Sequence, residues 1–284
     1  MPNFALSQFG PGGVILRARG MNTLAVEEIR ARVPSVFAEH AHDSRSARYA
    51  YIPTVALLDG MATAGFFPVE VRQGGTRHEE KRGFTKHMIR FRQPGNLPAA
   101  VGDSFPEIAL LNSHDGTSSY QILSAWVRLA CLNGMVVNEA EGPSIRVPHR
   151  GRVDDVIDAS FHVLESFPRQ AEKIREMQRL ALTGPEQVAF ATAASHLRFS
   201  EAQQVQPASL LSPQRREDAG NSLWTTFSRI QEHMIRGGVR TVHTNGQGKA
   251  SLRRARPINS ITEDVHLNQA LWSLAEKMRE LKAA

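Results

Sequence analysis

The amino-acid sequence predicts an α+β protein in which an antiparallel sheet is followed by a helical C-terminal part. Three segments, 67–73, 84–93 and 106–111, have the composition of strands and are joined by polar loops typical of hairpins. The next segment, 118–133, is apolar nearly all round, which is typical of a buried helix. From residue 152 onward the apolar residues recur mainly at helical spacing. The predicted core is therefore a β-β-β-α unit.

Shorter elements and the domain division follow from the same patterns. Helices are predicted over 22–39, 54–64, 152–182, 185–199, from 221 to the glycines at 237–238, and from 264 onward. A short strand is predicted over 48–52, and a short hairpin from 135–138 and 144–147. The prediction is thus a core domain over 1–200, a linker over 201–220 and a helical region over 221–284 with a basic loop over 236–256.

Composition places the chain among ordinary folded proteins and narrows its chemistry. Of the 284 residues, 41% are hydrophobic and 22% are charged. The single cysteine, Cys131, excludes an internal disulfide framework and a cysteine-based zinc site. No apolar run is long enough to cross a bilayer, and the N-terminus lacks the apolar region of a signal peptide, so a cytoplasmic protein without membrane contact is predicted.

The charge balance favours a polyanionic partner. The chain has 34 Lys and Arg against 28 Asp and Glu, which gives a net charge of +6 and an isoelectric point near 9.9. Arginine dominates the basic residues, and guanidinium groups pair well with phosphates. Nucleic acid is therefore the predicted partner.

A first basic surface is predicted on the hairpin 67–93. Side chains alternate along a strand, so Lys86, Arg90 and Arg92 share one face, to which the partner strand adds Arg72. The connecting loop contributes Arg77, Lys81 and Arg82. Such a face suits a phosphate backbone, and the alternative is a solvated face that discourages edge pairing.

A second basic surface is predicted in the loop 236–256. It contains Arg236, Arg240, Lys249, Arg253, Arg254 and Arg256. Between Glu232 and Glu263 the sequence has no acidic residue. This pattern is typical of a mobile arm that settles on nucleic acid, and the alternative is a solvated tether between two helices.

A polar loop after the third predicted strand is the remaining candidate site. It consists of Asn112, Ser113, His114 and Asp115 and leads into the predicted buried helix. Such a loop is able to bind an anion or carry catalysis, but no metal-ligand or paired-carboxylate pattern accompanies it. Turn and cap hydrogen bonds are the favoured interpretation, so no metal, no cofactor and no catalytic residue is predicted.

Several segments carry a resemblance to a known family. They are 33–37, 44–54, 85–88, 111–120, 131–136, 146–149, 223–227, 229–232 and 267–272. In these segments the chain resembles the plasmid- and prophage-encoded proteins grouped under domain of unknown function nine-three-two. The resemblance implies an accessory gene of a mobile element in a bacterial cytosol, and it brings no catalytic residues. The β-β-β-α order is also similar to that of single-strand annealing proteins, as an analogy of element order only.

The leading functional prediction is sequence-tolerant binding of single-stranded DNA, with strand annealing included, by an accessory protein of a plasmid or prophage. The mechanism is phosphate neutralisation by the two basic surfaces. Homo-oligomeric assembly is left open. The first alternative is an interaction module that blocks a host defence or regulatory protein, and the second is a metal-dependent nuclease built around His114 and Asp115.

Overall fold

A computed structural model describes residues 3–45, 49–94, 104–128, 134–137, 145–147 and 152–283. The chain divides into two compact units, and the main boundary lies between Pro168 and Arg169. The first unit contains an antiparallel sheet, whereas the second is mainly helical. The predicted α+β class with a helical C-terminal part is therefore confirmed.

An antiparallel sheet organises the first unit. Its strands are β1 (Phe4–Phe9), β2 (Gly13–Ala18), β3 (Phe67–Gln73), β4 (His87–Arg92), β5 (Ser104–Asn112), β6 (Tyr120–Arg128), β7 (Gly134–Val137) and β8 (Ile145–Val147). The strands from β1 to β7 lie side by side in chain order. β7 and β8 both pair with β6, β7 along 124–127 and β8 along 120–122, so the predicted hairpin between 135–138 and 144–147 is wrong.

The predicted helix over 118–133 is wrong where the structure describes it. Tyr120–Arg128 is strand β6, which pairs with β5 from Ser104↔Arg128 to Leu111↔Gln121. Side chains on both faces of β6 are buried, and a continuous apolar run of this kind has the same appearance in a buried strand as in a buried helix. Residues 129–133 lie outside the described part. The β-β-β-α order is therefore wrong, and the analogy to annealing proteins loses its basis.

Short helices accompany the sheet in the first unit. They are α1 (Val26–Arg30), two 3-10 turns (Pro34–Phe37 and Glu79–Lys81), α2 (Thr54–Thr63) and α3 (Val153–Leu164). The helix predicted over 22–39 is shorter than expected because Pro34 cannot continue an α-helix. The strand predicted over 48–52 is absent from residues 49–52, and residue 48 is not described. α2 and α3 approach closely, since a Cβ on Gly60 would lie 2.4 Å from Ile157 Cδ1.

The second unit combines helices with a small sheet. Its elements are α4 (Phe167–Arg179), which begins at the boundary, α5 (Gly184–Ser195), β9 (Gln203–Val205), α6 (Pro207–Leu211), α7 (Leu223–Arg236), β10 (Arg240–Thr244), β11 (Ala250–Arg254) and α8 (Ile261–Ala283). The strand order is β11-β10-β9. Phe190, Leu210, Phe227 and Trp272 are buried in this unit. No helix in the described ranges has both the length and the apolar character needed to span a bilayer.

Two predictions for the second unit are corrected. The predicted linker 201–220 contains β9 and α6, and Leu210 within it is fully buried. The predicted mobile loop 236–256 contains the antiparallel hairpin β10–β11. Asn245-Gly246 is a strong turn signal between two short strands, but the run of basic residues obscured the strand pattern.

Candidate nucleic-acid interface and a buried polar cluster

The basic face predicted for β3 and β4 is buried. Arg72, Arg90 and Arg92 are 5%, 3% and 6% exposed, and they share the sheet face with Glu70 and Glu107. The alternation of side chains was predicted correctly, but the exposure was not. These arginines therefore do not form a surface for a phosphate backbone.

Two buried carboxylates hold the arginines of this face. Glu70 accepts hydrogen bonds from Arg17, from Arg72 Nε at 2.6 Å and from Arg90 Nη2 at 2.7 Å. Burial alone would raise the pKa of Glu70, but the three guanidinium groups together lower it well below its usual range.

Glu107, on the neighbouring strand β5, also holds buried arginines. It accepts hydrogen bonds from Arg92 Nε at 3.0 Å and Arg92 Nη2 at 2.5 Å. Arg90 Nε lies 3.4 Å from Glu107 Oε2, so Arg90 bridges the two carboxylates. The counter-ions of these arginines are internal, which is why the basic-face prediction is wrong for them.

The turn between β3 and β4 carries charges of both signs. Arg77 and Arg82 are exposed and Lys81 is half-buried, but Glu79 and Glu80 lie among them, and Arg82 Nη1 is 3.9 Å from Glu79 Oε1. Lys86 is also half-buried. Burial lowers its pKa, although the charge of Asp115 acts in the opposite direction. This turn is a weaker candidate for phosphate binding than its basic residues alone indicate.

The β10–β11 hairpin is a stronger basic surface. Its ladder places Arg240 directly opposite Arg254 on one face, so two positive charges lie on a cross-strand pair. Like charges in this position are destabilising unless an anion lies between them. All five residues of β11 are exposed, including Leu252 at 73%.

Five of the six basic residues of this surface have no carboxylate partner among the described residues. All six are exposed: Arg236, Arg240, Lys249, Arg253, Arg254 and Arg256. Only Arg236 forms an ion pair within the described residues, with Glu232 at 3.1 Å. Of the other five, Arg254 is oriented by the backbone, because its Nη1 donates to Gly238 O at 3.1 Å.

The predicted polar loop contributes to a buried cluster in the first unit. Thr54 Oγ1, at the first position of α2, lies 3.1 Å from His87 Nε2, 3.0 Å from His114 Nε2 and 3.2 Å from Asn112 Nδ2. The hydroxyl of Tyr120 lies 3.1 Å from the same oxygen. All five residues are fully buried. The sequence identified Asn112 and His114 but not Thr54, His87 or Tyr120, because only the register of β4, β5 and β6 brings these residues together.

The proton positions in this cluster follow from the available acceptors. His87 Nδ1 donates to Thr85 O at 3.2 Å, so the neutral ring presents Nε2 as an acceptor for the Thr54 hydroxyl. Thr54 has no second proton, so His114 and Asn112 donate to it. Burial lowers the pKa of His87 to about 4, although the bond to Thr85 acts in the opposite direction. The ring is therefore neutral near pH 7.

The chemistry of this cluster resembles a nucleophile next to a base, but its setting is structural. A hydroxyl that donates to a neutral imidazole is the usual arrangement for nucleophilic catalysis. Here both groups are fully buried, and Tyr51 lies over His114 with ring centroids 5.1 Å apart. Through these hydrogen bonds the cluster joins α2 to β4, β5 and β6.

The rest of the polar loop forms turn hydrogen bonds, as the favoured interpretation predicted. Asp115 Oδ1 accepts from Thr117 N at 3.0 Å, and Ser113 Oγ accepts from Ser118 N at 2.8 Å. Ser113 O accepts from the hydroxyl of Tyr49, whose pKa burial raises to about 12. Across the described ranges, no three His, Cys, Asp or Glu side chains are grouped as metal ligands.

Comparison with known proteins identifies the class to which this fold and these surfaces belong. The family model described as Domain of unknown function (DUF932) matches residues 41–272, and the chain belongs to this family, which confirms the resemblance seen in the sequence. The chain is 45% identical over 274 residues to UPF0380 protein YfjQ of Escherichia coli (strain K12). It is 46% identical over 274 residues to UPF0380 protein YafZ of the same strain. Both alignments cover 96% of each chain. No solved structure matches.

Proposed function

We propose that the protein binds DNA without sequence preference through the β10–β11 hairpin, with single strands as the leading substrate. The observation that supports the proposal is the exposed, acid-free hairpin. Residues 233–262 contain no acidic residue, while six cationic side chains lie on the hairpin and beside it. Neutralisation of phosphates releases counterions, which drives binding that does not depend on sequence.

The geometry of the hairpin supports phosphate as the ligand. Arg240 and Arg254 face each other across the two strands without a carboxylate between them. A phosphate bound there would remove the repulsion and accept hydrogen bonds from both guanidinium groups. The hairpin residues 240–256 include no Phe, Tyr or Trp, so stacking on bases adds little to binding by this surface.

A salt series tests the proposal. We expect the full chain to bind oligonucleotides at low salt, with affinity that falls steeply as salt rises. The triple variant Arg253→Ala, Arg254→Ala, Arg256→Ala removes exposed side chains and should reduce the slope of log affinity against log salt by roughly 2 for a single strand. Fluorescence anisotropy with single-stranded and duplex oligonucleotides of equal length measures both quantities.

A control with the same change in net charge separates local contact from overall charge. Arg175, which is half-buried, and the exposed Arg179 and Lys277 belong to the second unit, and each pairs with a carboxylate. Their triple alanine variant should keep the salt slope of the unmodified protein. If the hairpin variant keeps it as well, the hairpin is not the binding surface.

The proposal also includes a genetic setting for DNA binding, and the experiments above decide between it and the alternative functions. Following the resemblance to plasmid- and prophage-encoded proteins, the setting that we propose for such binding is the entry or recombination of a mobile element. If the unmodified chain does not bind DNA, the interaction module directed at a host protein becomes the leading hypothesis. A nuclease built around His114 and Asp115 is not proposed, because His114 is buried on Thr54 and Asp115 closes a turn.

A further inference from the structure

We infer that a cleft at the base of the β10–β11 hairpin receives one unpaired nucleotide of the bound strand. The cleft has a volume of about 480 Å³ and lies entirely within the second unit. Pockets that hold small ligands usually measure roughly 300 to 1,000 Å³, so this cleft suits a ligand of nucleotide size. The inference rests on the proposed function, because the hairpin would deliver the strand to the cleft.

The cleft has a cationic side next to the hairpin. Arg236 and Arg254 line it together with the backbone of 237–239. The bond from Arg254 to Gly238 O and the ion pair between Arg236 and Glu232 hold both guanidinium groups beside the opening. A backbone phosphate at this opening would receive charge-assisted hydrogen bonds from groups that are already in position.

The carboxylate in the lining does not oppose an anion, because it is already neutralised. Glu232 is 4% exposed and accepts hydrogen bonds from Arg215 through both oxygens, with Arg215 Nη1 at 2.8 Å from Oε2. Arg236 Nη1 lies 3.1 Å from the remaining side of Oε1. Glu232 therefore orients the surrounding arginines and leaves the cleft with a positive balance.

The cleft also contains polar groups that are able to recognise a base edge. Ser209 and Gln214 line it, and Gln214 is exposed, with an amide that both donates and accepts. Gln214 Nε2 lies 3.3 Å from the ring of His233, whose Nε2 donates to Ser212 O at 2.8 Å. A cleft lined by both guanidinium groups and neutral polar groups suits a phosphate together with its base.

This arrangement gives a physical reason for a single-strand preference. A paired base would have to leave its stack and its partner to enter the cleft, which costs much more free energy in a duplex than in a single strand. The hairpin alone neutralises phosphates of either form. The cleft is therefore the element that distinguishes the two.

The experiment compares an unpaired strand, the matching duplex and a strand of abasic sites. In the full chain, Gln214→Ala and, separately, Ser209→Leu remove the amide or fill the cleft. We expect each variant to weaken single-strand binding about tenfold, which is the size of one lost polar contact, and to leave duplex affinity and the salt slope unchanged. The unmodified chain should lose the same factor on the abasic strand. Gln204→Ala, an exposed glutamine on β9 outside the cleft, is the matched control and should have no effect.

The outcomes separate this inference from the proposed function. If the hairpin triple variant loses binding but both cleft variants keep the single-strand preference, the cleft inference is wrong and the DNA-binding proposal stands. If a cleft variant weakened binding to the single strand and to the duplex equally, the inference would also be wrong. Such a result would mean that the cleft contacts only phosphates. Gln214 is exposed, so its replacement tests the cleft even if Ser209→Leu disturbs folding.

Discussion

At the scale of single residues, the hydroxyl of Thr54 is the group on which the buried cluster depends. Replacement by valine keeps the shape of the side chain but leaves His87, His114 and Asn112 without their shared partner. Buried polar groups that lose a partner cost about 1 to 3 kcal/mol each, in part relieved by relaxation. We expect Thr54→Val to lower the free energy of unfolding by about 2 to 3 kcal/mol in urea denaturation.

Thr63 on the same helix provides the control for this variant. It is exposed, and its hydroxyl bonds only to Asp59 O within α2. Thr63→Val should change the free energy of unfolding by less than about 0.5 kcal/mol. Equal effects at the two positions would show that the buried cluster adds nothing to stability.

His87 makes the first unit sensitive to acid. Its pKa is lowered from 6.5 to about 4 by burial. The unfolded state therefore binds a proton first as the pH falls below 6.5, and stability is lost between pH 6.5 and 4 but is fully present above pH 6.5. The loss from this group is about 3 kcal/mol. An NMR titration should show the His87 ring neutral down to about pH 4, and a midpoint near 6.5 would contradict its burial.

The buried arginines of β4 show which properties of single residues a strand pattern predicts and which it does not. Alternation along β4 correctly placed Arg90 and Arg92 on one face, because side chains in a strand alternate regardless of the rest of the fold. Their burial depends on Glu70 and Glu107 as counter-ions, and Glu107 belongs to a different strand that lies beside them only through the register of β4 with β5. The number of charged residues in one segment does not show which residues of other strands will lie beside them.

At the scale of elements, the face shared by β3, β4 and β5 depends on its carboxylates. Glu70→Gln removes the negative charge that holds Arg17, Arg72 and Arg90. Removal of one partner from a buried ion pair typically costs about 3 to 5 kcal/mol, because the remaining charge stays buried. We expect a loss of this size in urea denaturation.

Glu79→Gln is the matched control on the turn of the same hairpin. The Glu79 side chain is 89% exposed and lies 3.9 Å from Arg82, so its loss should have little effect. A stable Glu70→Gln protein would mean that solvent reaches the buried face and screens the arginines.

The β10–β11 hairpin should also be visible in solution. β10 pairs on both sides, with β9 and with β11, whereas β11 pairs only with β10 among the described strands. We expect slow amide exchange along β10, exchange of intermediate rate at alternate residues of β11 and fast exchange at Gly246. Uniformly fast exchange over 240–256 would instead support the mobile arm that the charge pattern predicted.

Some helices and strands were predicted accurately from the sequence and others were not, and the difference has a physical cause. β3 and α2 were predicted almost to the residue, because each has a clear pattern bounded by turn signals. β6 was predicted as a helix because its residues are buried on both faces, and periodicity disappears when no face is solvated. The buried cluster was missed for a different reason, because its residues meet only when β4, β5 and β6 are in register.

At the scale of the whole molecule, the position of the domain boundary is the least predictable feature. The sequence indicated a linker at 201–220 because that segment lacks long periodicity. The structure divides the chain at residue 168 instead, and 201–220 supplies buried groups to the second unit, among them Leu210 and Asp218. Short elements that pack through a few residues do not produce a periodic pattern.

Two fragments of the chain test whether the second unit begins at residue 169 or at residue 221. The fragment 169–284 keeps α5, α6, α7 and α8 with their shared core, and the ion pair of Lys282 with Glu186 joins the last helix to α5. We expect it to unfold cooperatively and to retain DNA binding that depends on Arg253, Arg254 and Arg256. The fragment 221–284 lacks Phe190 and Leu210, which are buried in the unit, so its helices would expose apolar faces and should not fold. Circular dichroism, urea denaturation and anisotropy measure these properties. A folded, DNA-binding fragment 221–284 would restore the boundary that the sequence predicted.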